Sequence, residues 1–204
     1  MNLASDPIIA QTQAWIRHAV IGLNLCPFAR AVQVKNQIRC VVSEATHIDD
    51  LMTQLCAEMH FLVEADPAKV QTTLLIHPQV LTDFLDFNDF LELADAALEE
   101  LGLDGVLQVA SFHPQFQFDG TEADDVTNAT NRAPYPALHL LREDSVERAV
   151  AAFPNAEAIF ETNIATLERL GAEGWVKLQA EVMKAEHLPE QAEPESIKPD
   201  PTTP

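Results

Sequence analysis

Thr72-Thr73-Leu74-Leu75-Ile76-His77-Pro78 is the stretch that decides the fold. The residues before the histidine are threonine, leucine or isoleucine, none is charged, and Pro78 ends the run. Such a run reads as a strand buried on both faces, the kind that lies inside a sheet covered by helices. Upstream, Ile48, Leu51, Met52, Leu55, Met59, Leu62 and Val63 recur at helical spacing behind Thr46-His47-Ile48-Asp49, which resembles a capping box. Cys56 falls on that apolar face and reads as core. Downstream, Phe84, Phe87, Leu91, Ala94, Leu98 and Leu101 mark a second amphipathic helix, with Thr82 as its expected cap and Gly102 as its stop.

Further strands are expected near 38–43, 106–112 and 137–141. Helical crossovers join the first strand to the second and the second to the third, which predicts parallel neighbours. The fourth strand follows without a helix and is expected to return antiparallel. Asp6-Pro7 reads as the cap and first residue of an opening helix, and 24–36 reads as irregular. Three helices are expected near 144–153, 155–170 and 173–186, punctuated by Pro154 and Gly171. The predicted fold is α/β, or its α+β variant: one mixed four-stranded sheet with flanking helices and a helical C-terminal part. Residues 1–187 form a single domain in this reading, and 188–204 form a disordered, acidic, proline-rich tail.

The chain has 204 residues and a formal net charge of −20. That field repels phosphate backbones and anionic lipid, so neither nucleic acid nor membrane is an expected partner. No Lys or Arg occurs between Lys69 and Arg132. The opening residues lack the basic start and apolar run of a secretory signal. The three cysteines, Cys26, Cys40 and Cys56, are too few and too scattered for a disulfide framework. A cytoplasmic location is the expectation.

Topology gathers the histidines. His77 ends the second strand and His113 the third, so parallel strands bring both to one sheet edge. His139 stands near the start of the fourth, at the same edge if that strand is antiparallel, and Glu44 follows the first. Ligands of open α/β sheets bind outside the carboxyl ends of the strands. Neutral imidazoles there could hold zinc or iron, with Glu44 or Asp119 as a hard ligand. Equally, one histidine could be a general base and another a proton donor. Each also has a plain structural reading as a hydrogen-bonded strand-end residue.

The long segment from His113 to Pro136 is read as a loop covering this edge. Asn128, Asn131, Arg132 and Tyr135 are its candidate substrate-binding residues, and Arg142 follows on the fourth strand. Arg132 could clamp a carboxylate or phosphate, or simply neutralise Asp124 and Asp125. Cys26, in Gly22-Leu23-Asn24-Leu25-Cys26-Pro27-Phe28-Ala29, is either a reactive thiol or a packed one. Cys40 lies within the first strand and reads as core.

Taken together, Gly22 to Ala29, Ile76-His77-Pro78, Ser111-Phe112-His113-Pro114-Gln115-Phe116-Gln117-Phe118, Thr130-Asn131-Arg132-Ala133-Pro134-Tyr135-Pro136 and His139-Leu140-Leu141-Arg142-Glu143 resemble the signature blocks of a bacterial family known as domain of unknown function 1415. The resemblance runs from about Ala14 to Leu170 and implies no activity. The leading functional reading is an enzyme acting on a small polar or anionic molecule through the histidine edge. Hydrolase or lyase chemistry is favoured, since no dinucleotide fingerprint or P-loop is present. The alternatives are a module that binds a metal ion or small ligand without catalysis, and an acidic interaction protein whose helix 83–101 docks a basic partner.

Overall fold

The stretch from Thr72 to Ile76 forms β2, and every residue in it is buried. Strand β1 (Ile38–Val42) runs parallel on one side. Strand β4 (Ala137–Arg142) lies antiparallel on the other, and β3 (Leu107–Phe112) pairs antiparallel with β4 beyond it. A computed structural model describes residues 7–153 and 158–186. Among these residues the strands form one mixed sheet in the order β1-β2-β4-β3. Strands β2 and β3 thus run the same way, but they are not neighbours as expected. Leu138 and Leu140 of β4, in the interior position, are fully buried, whereas β3 at the edge is half-buried beyond its first residue.

Helices α3 (Ile48–Glu64) and α4 (Phe84–Glu100) cover one face. Their Leu51, Leu55, Met59, Leu62, Phe87, Phe90, Ala94 and Leu98 pack on Leu75, Leu107, Leu138 and Leu140. Burying a Phe or Leu side chain stabilises by about 1.5–3 kcal/mol, so this face supplies much of the core. Cys56 is only half-buried, at the margin of α3's apolar stripe rather than in the core. On the same face Glu58 is buried against Arg39, whose guanidinium carbon stands 4.3 Å from the centre of the Phe61 ring. Periodicity gave no hint of that ion pair.

The opposite face carries α1 (Pro7–Trp15), which runs on into π-helical turns at Ile16–Ile21, and α6 (Ile159–Met183). Trp15, Ile16, Leu167, Trp175 and Val182 pack there against Leu74, Ile76 and Ala137. Gly171 breaks α6 with φ 70° and ψ 167°, a conformation open to glycine because it has no Cβ. Helix α5 (Glu143–Ala152) follows β4 directly.

Three local readings need correction. Asp83, not Thr82, caps α4: its Oδ1 accepts from the backbone N–H of Leu85 at 2.8 Å and Asp86 at 3.3 Å. No side-chain cap forms at the start of α3, so the Thr46 box is absent. The stretch 24–36 holds a short helix, α2 (Ala29–Val34), none of whose residues is buried; it has no apolar stripe from which to read it. The expected cap Asp6, Pro154 and the tail 188–204 lie outside the described residues. Among the described residues no helix is long and apolar enough to cross a membrane.

Candidate functional site at the carboxyl edge of the sheet

His77 and His113 come together as the topology requires. Ile76 of β2 and Phe112 of β3 share one partner on β4, Ala137, and each histidine is the next residue along. Their backbone N–H groups donate to the 131–136 segment, His77 to the Pro136 carbonyl at 3.0 Å and His113 to that of Asn131 at 3.1 Å. Both side chains are fully buried on the α3–α4 face. Both pack on the ring of Phe87, with centroid separations of 5.6 Å for His77 and 5.2 Å for His113. Phe84 packs on His113 as well.

The backbone sets a different tautomer on each ring. His77 Nδ1 lies 2.9 Å from the Val80 carbonyl, which only accepts, so Nδ1 carries the hydrogen and Nε2 presents a lone pair. His113 Nδ1 accepts from the Gln115 N–H at 3.1 Å, so in the neutral ring Nε2 carries the hydrogen. Neither Nε2 makes a hydrogen bond of good geometry, although the Leu81 and Thr82 backbone lies beside His113. Burial lowers the His77 pKa to about 4; the bond to Val80 opposes this, and the nearby His113 adds to it. Burial also lowers the His113 pKa, against the backbone of Leu81 and Thr82 and the charge of Asp83. Both rings are therefore neutral near pH 7.

The segment 78–83 closes over the pair. Leu81 within it is buried and holds φ 55°, a left-handed conformation that costs a residue with a Cβ roughly 1–2 kcal/mol. On the outer side lies an open groove of about 480 Å³, lined by Thr46, His47, Asp49, Leu81, Asp83 and Asp86 among others. The N-termini of α3 and α4 both face this groove, and no Lys or Arg lines it.

His139 does not join the pair. Side chains alternate along β4, and while Leu138 and Leu140 face α3 and α4, His139 packs on Phe112 on the opposite side. The Thr72 hydroxyl donates to the Leu140 carbonyl at 2.6 Å, so His139 Nε2–H donates to Thr72 Oγ1, also at 2.6 Å. This ring is a satisfied structural group, and burial takes its pKa down to about 4. Glu44 is exposed on the loop after β1. Among the described residues no three His, Cys, Asp or Glu side chains stand close enough to hold a metal ion. The expected zinc or iron set of His77, His113, His139 and Glu44 therefore does not assemble. The tautomers give a second reason, because the protonated Nε2 of His113 has no lone pair to offer a metal.

The other candidates are tied into the scaffold. Asn128 is fully buried: its Oδ1 accepts from the Phe118 N–H at 2.9 Å and the Thr121 hydroxyl at 2.8 Å, and its Nδ2 donates to Glu122 at 2.9 Å. Asn131 Nδ2 donates to the Ser111 carbonyl at 3.2 Å, and the Tyr135 hydroxyl bonds Gln11. Arg142 sits at the far end of the sheet, where its Nη2 donates to Leu62, to Ala65 at 2.8 Å and to Val70 at 3.4 Å, capping the end of α3. Arg132 donates from Nε to Phe116 at 3.0 Å and from Nη2 to Ala123 at 2.6 Å, and forms no salt bridge among the described residues. The segment before β4 is thus an ordered clasp with a 3₁₀ turn, Val126–Asn131, that packs on α6. Cys26 is half-buried, and burial pushes its thiol pKa up against the backbone of Phe28 and Ala29, the reverse of an activated nucleophile. Cys40 accepts from Gln13 Nε2 at 3.2 Å, and its pKa is pushed up to about 11 by burial.

Two residues that complete the edge escaped the sequence reading. Phe87 was legible only as one more core position of α4, and nothing in the pattern marked Leu81 as left-handed. No curated protein and no solved structure matches the chain. A family model does match, over residues 7–177, and the chain belongs to the family it describes as protein of unknown function (DUF1415).

Proposed function

We propose that this chain acts on a small polar molecule that enters the carboxyl edge of the sheet beneath the 78–83 segment and lodges between His77 and His113. The observation that carries this is the complementary pair of Nε2 atoms without a hydrogen bond of good geometry, one a lone pair and the other an N–H. A buried polar group left unsatisfied costs about 1–3 kcal/mol, and an occupant offering one donor and one acceptor would satisfy both. The carboxylates of Asp49, Asp83 and Asp86 line the outer groove, so the favoured occupant is uncharged or cationic rather than anionic.

Chemically, His113 polarises an oxygen through its neutral Nε2–H, and His77 accepts a hydrogen bond or proton at Nε2. Its low basicity makes recognition its first role and restricts proton removal to an activated position. A hydrolase or lyase fits these roles.

The test uses the full chain with ¹⁵N-labelled histidine and a panel of neutral amides, acetamide first. Saturable shifts at both Nε2 atoms, lost in His77→Phe and His113→Phe, are expected. A ¹⁵N–¹⁵N coupling across a direct bond between the two Nε2 atoms would reveal a closed structural pair instead, and the proposal would fall.

A further inference from the structure

Strand β3 is an edge of the sheet, and among the described residues it lacks the usual protection. Its sequence, Leu107-Gln108-Val109-Ala110-Ser111-Phe112, holds no charge, proline or glycine. Its register with β4 runs unbroken from Leu107 opposite Arg142 to Phe112 opposite Ala137, so no bulge turns it away. Edge strands are normally blunted by such devices or covered by another element. Strand β1, at the other edge, carries Arg39 and lies against α1, whose Gln13 donates to Cys40 Sγ at 3.2 Å.

The ladder shows which backbone groups are left over. The Glu143 N–H donates to the Val106 carbonyl at 3.0 Å. Bonded positions alternate in an antiparallel pair, so Gln108, Ala110 and Phe112 bond β4, while Leu107, Val109 and Ser111 turn their backbone groups outward. Both ends of this outer row are satisfied. The Leu107 N–H donates to the Leu103 carbonyl at 3.0 Å, and the Ser111 carbonyl accepts from Asn131 Nδ2 at 3.2 Å. Between them, the Leu107 carbonyl, the N–H and carbonyl of Val109 and the Ser111 N–H have no hydrogen-bond partner among the described residues. An added strand completes this pattern.

Charge decides what kind of strand. Phe84 packs on His113, the residue that follows β3. The flank of α4 that continues from Phe84 at helical spacing, through Asn88, Leu91, Asp95 and Glu99, therefore lies above this edge. Glu92, Asp95 and Glu99 are exposed and form no salt bridge among the described residues. No Lys or Arg occurs from 70 to 131 to neutralise them. A second copy is a poor occupant: antiparallel pairing of two β3 strands about a two-fold axis puts both α4 helices on one face, with like charges meeting across the seam. We infer that β3 is the docking edge for an extended, basic segment of another protein, which adds to the sheet as a further strand and turns every second side chain toward the carboxylates of α4. This surface is independent of the histidine pair.

The probe is a short peptide that alternates lysine with threonine or valine, blocked at both ends and added to the full ¹⁵N-labelled chain. The Val109 and Ser111 amides, exchanging freely beforehand, should shift saturably and gain at least about tenfold protection. Binding should weaken about tenfold when Glu92→Gln, Asp95→Asn and Glu99→Gln are combined. Ser111→Pro removes an outward N–H and leaves the bonds to β4, so it should weaken binding too. If that variant loses its fold, the same peptide methylated on every nitrogen keeps its charges and should give no protection. No saturable shift at millimolar peptide would overturn the inference. So would binding that leaves Val109 and Ser111 unprotected, which is charge attraction alone, or equal binding of a peptide with glutamate in place of lysine. Protection of Val109 that rises with protein concentration in the absence of peptide would assign the edge to a second copy and overturn it as well.

Discussion

His77 and His113 occupy equivalent positions on two strands that run the same way, each one residue beyond a shared partner, Ala137. Strand β4 separates them, so their backbones stand about two strand spacings apart, roughly 10 Å. Both side chains pack on the Phe87 ring. This arrangement makes the tautomer of each ring a testable quantity.

Long-range ¹H–¹⁵N spectra should show His77 protonated at Nδ1 and both His113 and His139 protonated at Nε2. A His113 protonated at Nδ1 would contradict the acceptor role of that atom toward Gln115.

Stability should fall with acid. His77 and His139 both titrate at about 4 in the folded chain against an ordinary value of 6.5, so the unfolded chain binds more protons between those values. Their contribution is complete above pH 6.5 and is lost as pH drops toward 4, with a slope of at most about 1.4 kcal/mol per pH unit for each ring. Acid also relieves repulsion among the carboxylates, so the difference between wild type and His139→Phe isolates the imidazole. In urea melts wild type should lose stability relative to His139→Phe as pH falls from 6.5 toward 4; a difference that does not change with pH would refute the assignment.

Arg142→Met removes a cation from three carbonyls at the end of α3 and should destabilise the chain by roughly 2–4 kcal/mol. The His77 and His113 resonances should not move. A shift in them would restore Arg142 to the functional edge.

Asn128→Ala removes three hydrogen bonds that fold 118–122 back on the 3₁₀ turn. A loss of about 1–3 kcal/mol is expected, with faster amide exchange at Phe118. Unchanged exchange there would mean that the clasp holds without its buried amide.

Much of the scaffold was legible because it depends on period and punctuation. The spacing of Phe84, Phe87, Leu91, Ala94, Leu98 and Leu101 sets a helix however the chain folds around it, and Pro78 and Gly102 end their elements by backbone geometry. The pairing of His77 with His113 was legible for a related reason, since the α4 crossover gives β2 and β3 the same direction. The place of His139 was harder to read. Only alternation against Leu138 and Leu140 assigns its face, and which face is the histidine edge depends on where α4 packs.

The sequence by itself determined four strands, their directions and the helices between them, because apolar periodicity, proline and glycine act within a few residues. Tertiary structure alone decided that β4 enters between β2 and β3, that Arg142 and Asn128 bind the scaffold, and that His77 and His113 both pack on Phe87 with opposite tautomers. Those outcomes depend on which backbone carbonyls and N–H groups arrive beside each side chain, and such neighbours are set by contacts between residues far apart in the chain.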